Sequence, residues 1–177
     1  MNTIPRRVWL EISLDTLTQN YRKIADAVAP ADVLTVLKAN AYGLGVLPIA
    51  RALAKAGASG FGVAEPYEAL QLLPLGKPVQ ILSSILPAEI EPMIDAGVTL
   101  PVTDPSTARL ISEAATRLGT TATVHFKLDT GMGRLGILAK DAPKVIRFVG
   151  TLPGLYLEGI FSHFPYAYET GSELTNR

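Results

Sequence analysis

The chain has 177 residues, with 16 Lys+Arg against 16 Asp+Glu, a formal net charge of zero, and 48% hydrophobic against 18% charged residues. That balance argues against a nucleic-acid-binding surface, which needs clustered cations, and against a polybasic membrane anchor, while the apolar content is ample for a packed core. The lack of cysteine excludes disulfides, thiolate zinc sites and a cysteine nucleophile; with no signal-peptide pattern and no apolar run of the roughly 18 residues a membrane span needs, a soluble, cytoplasmic chain is expected.

In chain order, Val8–Leu14 (VWLEISL) alternates like a half-exposed strand. Leu14–Val28 follows as a helix with Leu14, Leu17, Tyr21, Ile24 and Val28 as its apolar positions. Six apolar runs then read as strands: Val33–Lys38, Gly60–Ala64, Val79–Ser83, Val98–Val102, Ala122–Asp129 and Leu155–His163. Helical segments separate them at Pro48–Ala56, Tyr67–Leu75, Ala88–Ala96, Ser106–Leu118 and Ala142–Leu152. Gly57, Gly76, Gly97 and Gly119 sit where left-handed C-caps belong, and Asp104 before Pro105 is an N-cap followed by proline at the first helical position. Short apolar strands with helical crossovers predict a parallel α/β fold, either a doubly wound open sheet or a β/α barrel. A barrel wants eight strands and about 250 residues, and six strands are counted here.

In parallel α/β folds the chemistry lies at the carboxyl ends of the strands. Those ends carry Lys38, Glu65, Ser83 with Ser84, Asp104, Lys127 with Asp129, and His163. Period-two alternation puts His125, Lys127 and Asp129 on one face of their strand, which points to a polar cavity. Lys38 opens the segment KANAYGLG, where small residues and two glycines allow close backbone approach to a ligand and Tyr42 offers a phenolic donor to a phosphate. A desolvated lysine in such a place can form a Schiff base; the bland reading is a lysine that snorkels to solvent. Gly131–Gly136 formally matches GxGxxG, with Glu158 as a possible ribose acid, but it follows the fifth strand, carries Arg134 in the turn and precedes its helix by too many residues to aim it at a pyrophosphate. His125 reads as a core histidine or a partner of Asp129, and His163 as a site residue. No HExxH or GxSxG pattern occurs, so neither a zinc site nor a serine hydrolase is expected.

Five motifs occur in order: VWLEISLDTLTQN, VLKANAYGLG, GFGVAEPYEAL, VHFKLDTGMGRLG and LEGIFSHF. On these the chain resembles the amino-terminal part of bacterial alanine racemases, with departures at Leu44 and in HFPYAYETGSE. The resemblance implies a TIM-type parallel β/α barrel with about six of eight strands present (residues 14–177), preceded by a strand (residues 1–13) that belongs to a β domain outside this sequence. It implies pyridoxal 5'-phosphate as cofactor, carried as a Schiff base on Lys38, which also serves as a base on one face of the substrate. Tyr42 matches the contact to the cofactor phosphate. Arg134 matches the arginine near the cofactor phenolic oxygen and the substrate carboxylate, Lys127 a lysine that is carbamylated in many members, and His163 a residue holding the arginine that faces the pyridine nitrogen. The implied activity is interconversion of L- and D-alanine for peptidoglycan, in a homodimer whose second base, a tyrosine of the partner subunit, maps to no residue here. On that ground the chain reads as a piece of a longer protein with little activity alone. The runner-up is a non-catalytic, single-barrel pyridoxal-phosphate-binding protein.

Overall fold

The computed structural model describes residues 7–169. Its elements run α1 (Leu14–Val28), β1 (Leu34–Val36), a one-turn segment α2 (Lys38–Tyr42), α3 (Val46–Ala56), β2 (Gly60–Val63), α4 (Pro66–Leu72), β3 (Val79–Ile81), α5 (Pro87–Asp95), β4 (Leu100–Val102), α6 (Pro105–Leu118), β5 (Ala122–Asp129), β6 (Ile137–Leu138), α7 (Ala142–Val149) and β7 (Leu155–Phe161). All six expected strands are present, most of them trimmed by one or two residues. Val8–Leu14 is different. Residues 8–13 join no ladder, and α1 already begins at Leu14, capped by Ser13, whose Oγ accepts from the Thr16 amide at 3.2 Å. A strand needs a neighbour to take up its backbone groups, and none of the described residues provides one. Val8, Trp9 and Leu10 consequently lie exposed.

Every strand pair is parallel: β1 with β2, β2 with β3, β4 with β5, and β5 with both β6 and β7. The gap between β3 and β4 is bridged at Gln80–Thr99, where the Ile81 amide donates to the Thr99 carbonyl at 3.1 Å and the Thr99 amide to that of Val79 at 2.9 Å. Apart from the two-residue β6, spatial order therefore follows chain order with no reversal, which excludes the doubly wound alternative, since that fold reverses at a switch point. The result is an incomplete parallel β/α barrel. Its core is one cluster of strand and helix residues, with Phe61, Phe126, Leu72, Ile81, Met93, Leu100 and Ile111 fully buried. Tyr21 is the buried anchor of α1 against α3, whereas Ile24 and Val28, expected on the buried face, are exposed.

Helix ends follow the expected punctuation. Gly57, Gly76, Gly97 and Gly119 all have positive φ, and Asp104 caps α6, with Oδ1 accepting from the Thr107 amide at 2.9 Å. Two features were not foreseen. The two-residue strand β6 folds the loop after β5 back onto it at Leu128 and Asp129. A bulge also shifts the β5–β7 register between Val124 and His125, so that Glu158 lies between the residues paired with them, Leu157 and Gly159.

Candidate active site

The barrel interior and its carboxyl-end mouth enclose a cavity of about 680 Å³ whose walls include Lys38, Tyr42, Gln80, Ser83, His125, Lys127, Arg134 and His163. Four of the strand-end groups marked in the sequence (Lys38, Ser83, Lys127 and His163) therefore converge on one site. Glu65, Asp104 and Asp129 are not among its lining residues. Glu65 caps α4 and borders a different hollow. Asp104 is bound by Thr103, Ser106 and Thr107 around the start of α6. The Asp129 carboxylate turns into its own loop, with Oδ1 accepting from the amides of Gly131 at 3.0 Å and Gly133 at 3.1 Å. Those amides, with that of Met132, hold the Asp129 carboxyl below its ordinary range.

The same contacts dispose of the dinucleotide reading. The amides that a phosphate loop would offer to a ligand are spent on Asp129. Gly136, at φ +115, answers a packing need instead: a Cβ there would stand 2.9 Å from both the Asp129 nitrogen and the Lys127 oxygen. The loop is also pinned to β7, as the hydroxyls of Thr130 and Ser162 are 2.6 Å apart and Ser162 Oγ donates to the Leu128 carbonyl at 3.2 Å. Arg134 is presented to the cavity from this braced loop.

Lys127 is the buried cation of the site, 5% exposed. Its Nζ donates to the Leu82 carbonyl at 2.6 Å and lies 4.9 Å from the centre of the Phe161 ring. Burial, and then the positive charges of Arg134 and Lys38, pull this amine below its ordinary 10.5. His125 shares the cavity face with Lys127 but partners Glu158 rather than Asp129, its Nε2 being 2.9 Å from Glu158 Oε2. The bulge makes this possible by re-aiming the extra residue of β7, and Gly159 leaves room for the ring, since a Cβ there would come within 3.2 Å of it.

Lys38 leaves β1 by an unusual route. Ala39, Asn40, Ala41 and Tyr42 all have φ between 52 and 57, one turn of left-handed helix built without glycine. Such residues cost roughly 1–2 kcal/mol each, so the turn persists only because its surroundings hold it. Asn40 Oδ1 accepts from the Val46 amide at 2.8 Å, and the Gly45 amide donates to the Asn40 carbonyl at 3.0 Å. Tyr42, at the end of the turn, points its ring into solvent at the cavity rim. The sequence showed the Gly43 and Gly45 breakpoints but contained no local signal for four consecutive left-handed residues.

The chemistry of the walls is one-sided. Three cations line the cavity, with a phenol, two imidazoles and an amide, and no carboxylate is among its lining residues. Gln80 is 5% exposed, and its Nε2 has no hydrogen-bond partner among the described residues. A buried donor left open in a cationic cavity is what an anionic ligand would satisfy. Among the described residues no group of His, Asp and Glu is placed to hold a metal ion, and no helix is long and apolar enough to cross a membrane.

Comparison with known proteins agrees with this geometry. The family described as alanine racemase, N-terminal domain, matches residues 12–177. An alanine racemase of Syntrophobacter fumaroxidans is 40% identical over 164 residues, covering 91% of this chain and 44% of its own length. The alanine racemase of Clostridium difficile 630, solved in complex with cycloserine, superposes with a TM-score of 0.91 at 32% identity, over 98% of this chain and 49% of that one. That of Bartonella henselae, solved with covalently bound pyridoxal phosphate, gives 0.85 at 29% identity over 93% and 47%. The chain thus spans a little under half the length of these relatives. With the motif order, the sequential barrel topology and the family match in agreement, the chain belongs to the alanine racemase N-terminal domain family.

Proposed function

We propose that this chain carries the cofactor-bearing part of an alanine racemase site, with pyridoxal 5'-phosphate attached at Lys38. The observation that carries the reading is the cavity wall, where, among the described residues, three cations and a buried amide without a partner face a common space lined by no carboxylate. A phosphorylated, anionic aldehyde suits that wall, and the strand-end amine of Lys38 is the group that would hold it. When bound, this cofactor withdraws electrons from the substrate α-carbon and so acidifies its proton.

The chain's own residues have separable tasks in this proposal. Lys38 holds the cofactor and takes or returns the α-proton at Nζ on one face of the substrate. Tyr42, at the rim, donates its phenolic hydrogen to the phosphate. Arg134, braced by the Asp129 loop and the Thr130–Ser162 contact, presents its fork to the substrate carboxylate and the phenolic oxygen of the cofactor. His163, beyond the end of β7, holds a further arginine toward the pyridine ring. Lys127 is suited to carbamylation: burial and two neighbouring cations favour its neutral amine, the form that adds to carbon dioxide, forming an N–C bond and releasing one proton. The carbamate replaces a cation beside Arg134 with an anion able to orient it. The product would supply D-alanine for peptidoglycan in the cytoplasm, from a homodimer of the whole protein.

The test is cofactor trapping. The chain is incubated with pyridoxal phosphate, the visible absorbance is recorded, the adduct is reduced with borohydride and the modified peptide is mapped. Modification concentrated on Lys38, and abolished in Lys38→Met, is expected. Labelling scattered over the exposed lysines, or none at all, overturns the reading.

A further inference from the structure

We infer that Glu68, which is not among the residues lining the cavity, is a positioning residue for Lys38. The inference rests on the cofactor reading above for its functional consequence, but its structural basis is independent of any ligand. Glu68 lies in the first turn of α4, which begins beyond the carboxyl end of β2. One carboxylate oxygen, Oε2, accepts from the Ala64 amide at 2.9 Å and the Glu65 amide at 3.2 Å. The other, Oε1, accepts from the Ala39 amide, 29 residues earlier in the chain. A single carboxylate therefore ties the exit of β2 to the exit of β1.

What this does to Lys38 follows from covalent geometry. The Cα–Cβ direction of a residue is set once the two peptide planes flanking its Cα are fixed. The plane before Lys38 contains the Leu37 carbonyl, which accepts from the Ala41 amide at 2.9 Å, and the plane preceding that one is fixed by the Leu37 amide, which donates to the Gly62 carbonyl at 2.8 Å. The plane after Lys38 contains the Ala39 amide, whose partner is Glu68. Ala39 is also the first residue of the left-handed turn, at φ 52. Without the carboxylate, an alanine has a steric reason to leave that region, and its departure rotates the plane next to Lys38. A carboxylate is the suitable anchor, because it offers acceptor sites on both oxygens and has no hydrogen of its own to oppose the three donors.

Glu68→Gln is the informative variant. It keeps size and shape but places an NH2 group against at least one of the donors. Glu89→Gln is the control, since Glu89 makes the equivalent contact at the start of α5, accepting from the Leu86 amide at 2.8 Å, with no link to Lys38. Two readouts are compared: amide hydrogen exchange over residues 38–43, and the yield of borohydride-trapped adduct at Lys38 at limiting pyridoxal phosphate. In Glu68→Gln, exchange rises and trapping falls, each about tenfold, equivalent to about 1.4 kcal/mol. In Glu89→Gln neither changes. Adding Ala39→Gly to Glu68→Gln restores trapping in part, because glycine takes positive φ without the penalty. This double variant also separates lost positioning from general unfolding, which a glycine would not repair.

Unchanged exchange over 38–43 in Glu68→Gln overturns the inference, as does raised exchange with trapping at the level of the unaltered chain. Equal losses in Glu68→Gln and Glu89→Gln overturn it too, because they would reflect stability alone. If the unaltered chain forms no adduct at Lys38, the cofactor reading fails, and the exchange comparison by itself decides whether Glu68 holds the turn.

Discussion

Asp104 offers a test in which the sign and size of an effect both follow from the structure. Its side chain takes four hydrogen bonds at the start of α6: from the Thr107 amide at 2.9 Å, the Thr107 hydroxyl at 2.7 Å, the Thr103 hydroxyl at 3.1 Å and the Ser106 hydroxyl. Burial alone would raise this carboxyl, but the bonds from Ser106, Thr107 and Thr103 outweigh it and bring the group from an ordinary 3.8 down to about 2. A shift of nearly two pH units corresponds to at most about 2.5 kcal/mol. For a side chain that is partly open to solvent, about 1–2 kcal/mol is the expected share, in line with measured N-cap losses. A depressed carboxyl stabilises the fold fully above its unfolded value of 3.8, and that stability disappears as pH falls through about 2. Asp104→Ala should therefore lose about 1–2 kcal/mol in urea unfolding at pH 7, with the gap from the unaltered chain narrowing steadily below pH 4. A gap of equal size at pH 7 and near pH 2 would refute the reasoning, because the charge would then contribute nothing. So would the absence of any loss at pH 7.

Gly136→Ala should cost about 1–3 kcal/mol and loosen the Arg134 loop, because its Cβ meets backbone at 2.9 Å while φ is +115; urea midpoints and exchange in residues 130–138 check this. Lys127 has a pH signature of the same sign as Asp104, but in an alkaline window. Its amine is depressed below 10.5 in the fold, so the unfolded chain binds the extra proton between the two values and stability rises with pH across that window. Melting curves from neutral pH toward 10 should show this rise, and it should flatten in Lys127→Met. Gly159→Ala should push the His125 ring away from Glu158, since the new methyl lies 3.2 Å from it, and the NMR contacts between the His125 ring protons and the Glu158 side chain should then weaken. Phe61→Ala, at a fully buried site, should cost about 3–5 kcal/mol by denaturant unfolding.

Much of this protein is legible in its residue order. Helices could be placed because proline, glycine and capping residues mark their ends locally: Pro105 after Asp104, and Gly57, Gly76, Gly97 and Gly119 behind the last apolar turn. Strand β5 was delimited to the residue, Ala122–Asp129, because its apolar run is long and bounded by turn chemistry. Lys38, Lys127 and His163 could be selected as site residues because a parallel sheet sends its strand ends to one side.

The sorting among those strand ends needed three dimensions. Asp104 and Asp129 are as polar and as well placed in sequence as Lys127, yet each is satisfied within its own cap or loop, and only the folded contacts show it. Residues 8–13 alternate like a strand, but alternation does not supply a partner, and no described residue does. The left-handed turn at Ala39–Tyr42 runs against the preference of Ala39, Ala41 and Tyr42, and a lone Asn40 does not indicate four such residues in a row; Glu68, 29 residues from Ala39, is one of the groups that stabilise it. The bulge that brings Glu158 to His125 likewise depends on the register between two strands 33 residues apart. Sequence determined the elements, the parallel class and the family, because propensity, capping and motif order are local. Tertiary structure decided barrel over open sheet and which polar groups remain free to act, because strand order and hydrogen-bond satisfaction depend on residues far apart in the chain.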